Sequence, residues 1–176
     1  IVDKAMNGHG AIVEDSGEFR MYPGKEYKEM LNRRRDLAFE MYGLMGIEKK
    51  DKEGRMKAML RNYQFFGAPV ALFITVERSV DRNGWGHVGM FIQTLCLLLQ
   101  EAGLSTCLQE SWANCNDLVR KELNLPESEV FWCAISVGYE DKTAPVNQLR
   151  AQRVPLNDYA TFLGVPEEKK QIISKL

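Results

Sequence analysis

Two uninterrupted apolar runs constrain this chain more than any other feature: residues 69–76, PVALFITV, and residues 130–137, VFWCAISV. Neither alternates polar with apolar, so each is expected to be a strand covered on both faces. Pro69 fits only as the first residue of its strand, because it has no N–H to give to a ladder. Gly138 ends the second run. The run 69–76 reads as a central strand. A third apolar element, residues 87–102, has the length of a helix, and its polar residues fall in a narrow stripe of His87, Thr94 and Glu101 with Gln93 and Gln100 beside it. Such a helix is expected to be buried nearly all round.

Other elements are placed around these three. Met30, Leu31, Leu37, Ala38, Met41, Leu44 and Met45 recur at helical spacing and predict an amphipathic helix over 26–45, with Arg33, Arg34 and Arg35 on its solvated side. A second helix is expected over 51–62, stopped by the segment FFGAP at 65–69. Gly103 suits the C-terminal cap of the apolar helix, and residues 104–109 then read as a short strand. Asn114 or Asn116 can cap a helix over 117–123, which Pro126 prevents from continuing. Beyond Gly138 a polar extended segment, 141–155, precedes short helical pieces near 158–163 and 167–175. Strands alternating with helices, but too few to close a doubly wound sheet, give an α/β or α+β layer: a central mixed sheet flanked by helices. A small domain has little room to hide an all-apolar helix, so subunit association through 87–102 is the natural cover.

A chain of 176 residues, 45% of them apolar, suits one compact domain over 1–176. Its first residues read as the tail of a helix running into a loop around His9, so the first element is expected to be cut through, with an N-terminal segment missing. The net charge of −1 and the absence of a segregated basic block argue against nucleic acid as a partner. Cys96, Cys107, Cys115 and Cys133 sit in or beside apolar segments without the paired spacing of a zinc site, so they are expected to be reduced core thiols, with no metal. No secretory segment opens the sequence, and the most apolar run, 85–99, is interrupted and too short to span a bilayer. A soluble, cytoplasmic setting without membrane contact is the expectation.

Few side chains here could perform chemistry themselves. His9 and His87 are the two histidines, and His87 at a helix start is expected to be a polar helix residue rather than a base. No serine sits in a nucleophile elbow and no lysine follows a phosphate-cradling loop; the glycines of GWGHVG at 84–89 mark the start of a helix rather than a dinucleotide fingerprint. A protein so poor in reactive groups can still be an enzyme if a cofactor carries the chemistry.

Three blocks bear on which cofactor: RNYQFFGAPV at 61–70, GLSTCLQESW at 103–112 and NQLRAQRVPL at 147–156. In that order, with the strand 130–138 between the last two, they resemble the flavin-dependent nitroreductase family. The resemblance implies FMN, with NAD(P)H as reductant and a nitroaromatic or quinone-like acceptor, in a homodimer with flavin at the subunit interface. It implies that the backbone of Leu108, Gln109, Glu110 and Ser111 cradles the isoalloxazine ring, the amide of Glu110 facing N5. It also implies that Arg153, rather than its neighbour Arg150, takes the FMN phosphate, a role suited to the guanidinium fork. No catalytic acid or base is nominated. In the family, Tyr22, Tyr27 and Tyr42 would lie in the variable segment covering the flavin and are weak candidates for substrate contacts. Members also carry, ahead of the point where this sequence starts, an arginine- and serine-rich phosphate segment and an asparagine-containing loop. Two alternatives therefore stand beside the leading reading: a reductive dehalogenase of the iodotyrosine deiodinase kind, and a flavin-free dimerising fragment.

Overall fold

The computed structural model describes residues 1–8, 16–80, 82–166 and 169. The loop expected around His9, and all but Lys169 of the helical piece expected at 167–175, lie outside the described residues. The helices are α1 (Val2–Gly8), α2 (Lys28–Leu44), α3 (Lys52–Leu60), α4 (Arg82–Glu101) and α5 (Asn116–Leu123). The strands are β1 (Val70–Glu77), β2 (Ser105–Gln109) and β3 (Glu129–Gly138), and short 3-10 turns occupy Arg61–Gly67, Glu110–Cys115, Pro145–Gln148 and Leu156–Asp158. Helices packed on a small sheet confirm the α+β class.

The sheet corrects two expectations. Its order is β1-β3-β2, so β3 is the central strand and β1 lies at an edge of the described sheet. A continuous apolar run reports that both faces are at least partly covered, and says nothing about which strands lie alongside. Both ladders are antiparallel rather than mixed. The alternation of strands and helices does make β1 and β2 run parallel, joined across α4, but β3 inserts between them and pairs antiparallel to each.

Strand β3 also carries the feature that divides the core. Its register with β1 slips from Ile74↔Cys133 to Thr75↔Phe131, leaving Trp132 as an extra residue in a bulge. A bulge breaks the two-residue alternation of side chains. Consequently Phe131 and Ala134 share one face although three residues apart, packing with Ala5, Tyr63, Phe65, Trp112, Cys115 and Val119. Trp132 and Cys133, though adjacent, both pack on the other face with Ile135, Val137 and Ile92 of α4.

Helix α4 ends as expected of Gly103. That glycine has φ +80°, its amide bonds to the Gln100 carbonyl, and the amide of Leu104 reaches back to Leu99. These two bonds are the Schellman arrangement. A Cβ at Gly103 would meet no atom within 4 Å, so Gly103→Ala is expected to cost ~1–2 kcal/mol through left-handed backbone strain alone. Urea denaturation of the variant checks this.

Three further expectations are corrected. Helix α4 is not buried all round in the single chain: Met90, Phe91, Leu97 and Leu98 are each more than half exposed, and its buried residues are Gly84 and Ile92. Neither asparagine caps α5, because its N-cap is Cys115 without a side-chain bond; the Asn114 amide instead donates to the Ser111 carbonyl at 2.9 Å. The helical piece expected at 158–163 reduces to the single turn Leu156–Asp158. Of the four thiols expected in the core, Cys115 and Cys133 are buried, Cys96 is half-buried and Cys107 is exposed, and α4 begins at Arg82, ahead of the expected 87. Helix α2 forms where the apolar spacing predicts it, although none of its residues is buried. Asp51 caps α3 by accepting the Gly54 amide at 2.8 Å.

Candidate functional site

The segment 108–111 forms one wall of a cleft of about 350 Å³, whose other lining residues are Tyr22, Asn62, Trp132 and Cys133. That volume lies within the range of small-molecule sites (~300–1,000 Å³). Four of the five residues singled out from sequence thus come together here: Leu108, Gln109, Glu110 and Ser111. Arg153 does not line the cleft. It is exposed in the extended segment after β3 and donates to the Ala151 carbonyl at 3.2 Å, while Arg150 bonds to the carbonyls of Asn147 and Leu149.

The wall is held from beneath. Gln109 is 1% exposed; its Nε2 donates to the Asn62 carbonyl at 2.8 Å and its Oε1 accepts the Ser136 hydroxyl at 2.5 Å. One side chain therefore ties the end of β2 both to the turn 61–67 and to β3. The ladder between β2 and β3 ends at the pair Gln109↔Ala134, so the amide of Glu110 lies one residue past the last paired position, where the 3-10 turn begins. Leu108 and Glu110, flanking the buried Gln109, are exposed. The two-residue alternation of a strand thus turns one side chain into the core and presents the next to the cleft.

An aromatic cluster fixes the turn itself. Trp112 is 0% exposed, stacks on Phe65 with ring centroids 4.9 Å apart, and meets Tyr63 and Phe73 edge-on at 5.2 and 5.4 Å. The Tyr63 hydroxyl donates to the Ser111 carbonyl at 3.2 Å. Phe65 and Phe66 hold φ values of +51° and +54°, a left-handed conformation that costs a non-glycine residue energy and persists only where packing over-determines it. For Phe65 the over-determining contact is the stack on Trp112. The strained turn therefore belongs to the scaffold that presents residues 108–111 and Asn62.

The thiols and phenol near the cleft are held in their protonated forms. Burial, then the Glu110 carboxylate and Cys96, push the Cys133 thiol up to about 12. Burial likewise raises the Tyr63 phenol well above its ordinary range, with Cys115 adding to the shift. Neither group can act as a nucleophile or base near neutral pH. His87 is an exposed residue within α4 and is not among the cleft-lining residues. Among the described residues no cluster of His, Cys, Asp and Glu could hold a metal ion. No described helix is long and apolar enough to cross a membrane.

Asn62, Trp132 and Cys133 have cleft positions that sequence reasoning did not assign. Asn62 lay inside the block 61–70, whose role was undefined. Trp132 and Cys133 read simply as core strand, and only the bulge brings both to the cleft side. Tyr22, a weak candidate on sequence, lines the cleft, whereas Tyr27 and Tyr42 do not.

A helix-flanked antiparallel sheet with an open cleft at a strand end defines the architecture into which the comparisons with known proteins fall. The chain belongs to the nitroreductase family, whose model matches residues 22–139. A 4-nitrobenzoate reductase of Pseudomonas putida is 40% identical over 70% of this chain and 54% of its own length. A 4-nitrobenzoate reductase of Nocardioides sp. (strain LMS-CY) is 34% identical over 93% of this chain and 67% of its own. This chain thus spans about half to two thirds of the length of these relatives. The crystal structure of an FMN- and NADPH-dependent nitroreductase, NfnB, from sphigopyxis sp. strain HMH superposes with a TM-score of 0.80 at 35% identity, over 84% of this chain and 66% of that one.

Proposed function

We propose that this chain carries the ring-binding part of an FMN-dependent nitroreductase, one that draws on NAD(P)H and reduces nitroaromatic acceptors of the 4-nitrobenzoate type, with quinone-like acceptors as a further class. The observation that carries the reading is the wall at 108–111: a strand end that runs past its last ladder pair at Gln109 into a turn, anchored by Gln109 and Trp112, and open to a cleft. The names of the relatives and of the superposing structure support the cofactor and the acceptor class.

The residues present fit an isoalloxazine edge. A flat ring system needs close backbone approach and a directed N–H, and the strand end supplies both without placing an ionised nucleophile beside it. The backbone of Leu108, Gln109, Glu110 and Ser111 would hold the ring, with the Glu110 amide donating to N5. When bound, FMN would supply the redox chemistry that links NAD(P)H to the acceptor. The chain itself orients and excludes: Gln109 fixes the strand end, Trp112 fixes the turn, and the protonated Cys133 leaves no thiolate facing the ring.

Arg153 is our candidate for the phosphate. It stands exposed and outside the cleft, which suits a site shared between subunits better than one closed within a single chain. Exposed Met90, Phe91, Leu97 and Leu98 along α4 support homodimerisation, since a contiguous apolar helix face in water is an association surface. A cytoplasmic setting fits a reductase fed by NAD(P)H.

Titration of the purified protein with FMN tests the reading. Flavin absorbance is expected to co-elute with protein through a desalting column, and NADPH oxidation to depend on added 4-nitrobenzoate. Protein that stays colourless overturns it; turnover of halotyrosine but not of nitroaromatics would move the chain to the dehalogenase alternative.

A further inference from the structure

Helix α2 carries three consecutive arginines, and the structure treats them differently. Arg33 is paired with Glu29 at 2.5 Å and Arg35 with Asp36 at 3.3 Å, both on the exposed surface. Arg34 has no carboxylate partner among the described residues. Its guanidinium instead lies over the ring of Tyr22, 3.6 Å from the centroid. Tyr22 is in turn a wall of the cleft that holds Glu110. It also borders a second, adjoining hollow of about 250 Å³ lined by Arg20, Pro23, Gly24, Lys25 and Glu26. A positive charge with no carboxylate partner among the described residues thus lies over a residue of the candidate site, although Arg34 itself lines neither hollow; Arg20 and Lys25 line the second, with Glu26 as its one acidic group.

We propose that Arg34, held on Tyr22, is the counter-charge for an anionic substituent of the acceptor, so that the site selects aromatic carboxylates over uncharged aromatics of the same shape. This rests on the functional reading above and specifies its substrate class. The charges around the cleft give the acceptor a direction. Glu110 is the acidic residue among those lining the cleft and Arg34 lies over another of them, Tyr22, so a carboxylate is disfavoured beside Glu110 and favoured beside the Tyr22–Arg34 pair. The contact holds the Arg34 charge over an aromatic ring without pairing it with an acceptor atom. A planar donor fork suits a carboxylate better than a point charge.

The test compares 4-nitrobenzoate with 4-nitrobenzamide, its uncharged near-isostere, on FMN-loaded protein. Dissociation constants are read from quenching of protein fluorescence without reductant, so the readout does not depend on turnover. Arg34→Gln is expected to weaken 4-nitrobenzoate binding about tenfold, the size of one partly solvated charge-assisted hydrogen bond, and to leave 4-nitrobenzamide within about twofold. Arg34→Lys should recover part of the loss, and raising salt should weaken carboxylate binding in the parent but not in Arg34→Gln. Equal loss for both ligands would mean that Arg34 only positions Tyr22, and no loss for either would mean that it is a solvated surface charge; each overturns the inference while the flavin absorbance leaves the functional reading standing. Protein that takes up no FMN refutes that reading and this inference with it.

Discussion

Replacing Trp112 with alanine is expected to cost ~3–5 kcal/mol of stability, the range for deleting a large aromatic side chain from a packed core. Trp112 is wholly buried and touches three other aromatic rings, two from the 61–67 turn and one from β1. Its removal leaves a cavity that those rings can fill only by moving. Phe65 is the least able to move cheaply, because its left-handed backbone is tolerable only while the stack holds it. Against a typical total of about 5–15 kcal/mol, the loss is a large fraction of what keeps such a domain folded. Trp112→Phe separates packing from polarity. The indole Nε1 of Trp112 is buried with no hydrogen-bond partner among the described residues, so exchanging indole for phenyl leaves a smaller cavity and removes a donor that none of them satisfies. The phenylalanine variant should therefore lose no more than about 1–2 kcal/mol, well short of the alanine variant. Chemical denaturation of both checks the difference. FMN affinity should fall in the same order, since Trp112 anchors the turn that begins at Glu110.

These contacts mark the limit of what the sequence made legible. The spans of β1, β3 and α4 follow from apolar runs, and the cap at Gly103 from residue type, because burial and left-handed φ act locally. Lateral order does not: residues 69–76 and 130–137 are equally apolar, and only long-range pairing makes the second central. The bulge at Trp132 is a matter of register between two strands, invisible in either alone, yet it decides that Trp132 and Cys133 both border the cleft. The segment 108–111 was singled out by family resemblance, and the structure places it along a cleft. The distinction among Arg33, Arg34 and Arg35 was not legible at all, since three identical side chains differ only in what folding brings beside them. The exposed apolar surface of α4 marks a further limit, because periodicity reports that a helix is apolar and not whether its own chain covers it.

Gln109→Leu is the second large effect, at ~2–4 kcal/mol, and it separates the scaffold of the cleft from its lining. Leucine matches the volume of glutamine closely enough that packing is nearly conserved, so the cost comes from the groups left behind. The Asn62 carbonyl loses the Nε2 donor and the Ser136 hydroxyl loses the Oε1 acceptor, the second of these in a buried setting. An orphaned buried polar group costs about 1–3 kcal/mol. Adding Ser136→Ala to Gln109→Leu removes one orphan, so the double variant is expected to be more stable than the single one, a non-additivity that a double-mutant cycle measures directly. Gln109→Glu makes the same point through pH. A protonated carboxyl can still donate to Asn62 and accept from Ser136, whereas the carboxylate can only accept and would be buried. The folded variant thus holds its proton to higher pH than the unfolded chain, whose glutamate titrates near 4.3. The unfolded state then binds fewer protons above that value, so stability should be greatest below pH ~4.3 and fall as pH rises, until the folded carboxyl itself ionises. Thermal denaturation across pH 4–8, compared with the parent, follows it. Because Gln109 joins β2 to the turn carrying Asn62, every variant that breaks this tie should also loosen FMN, even though the proposed contact at Glu110 is backbone and no substitution touches it.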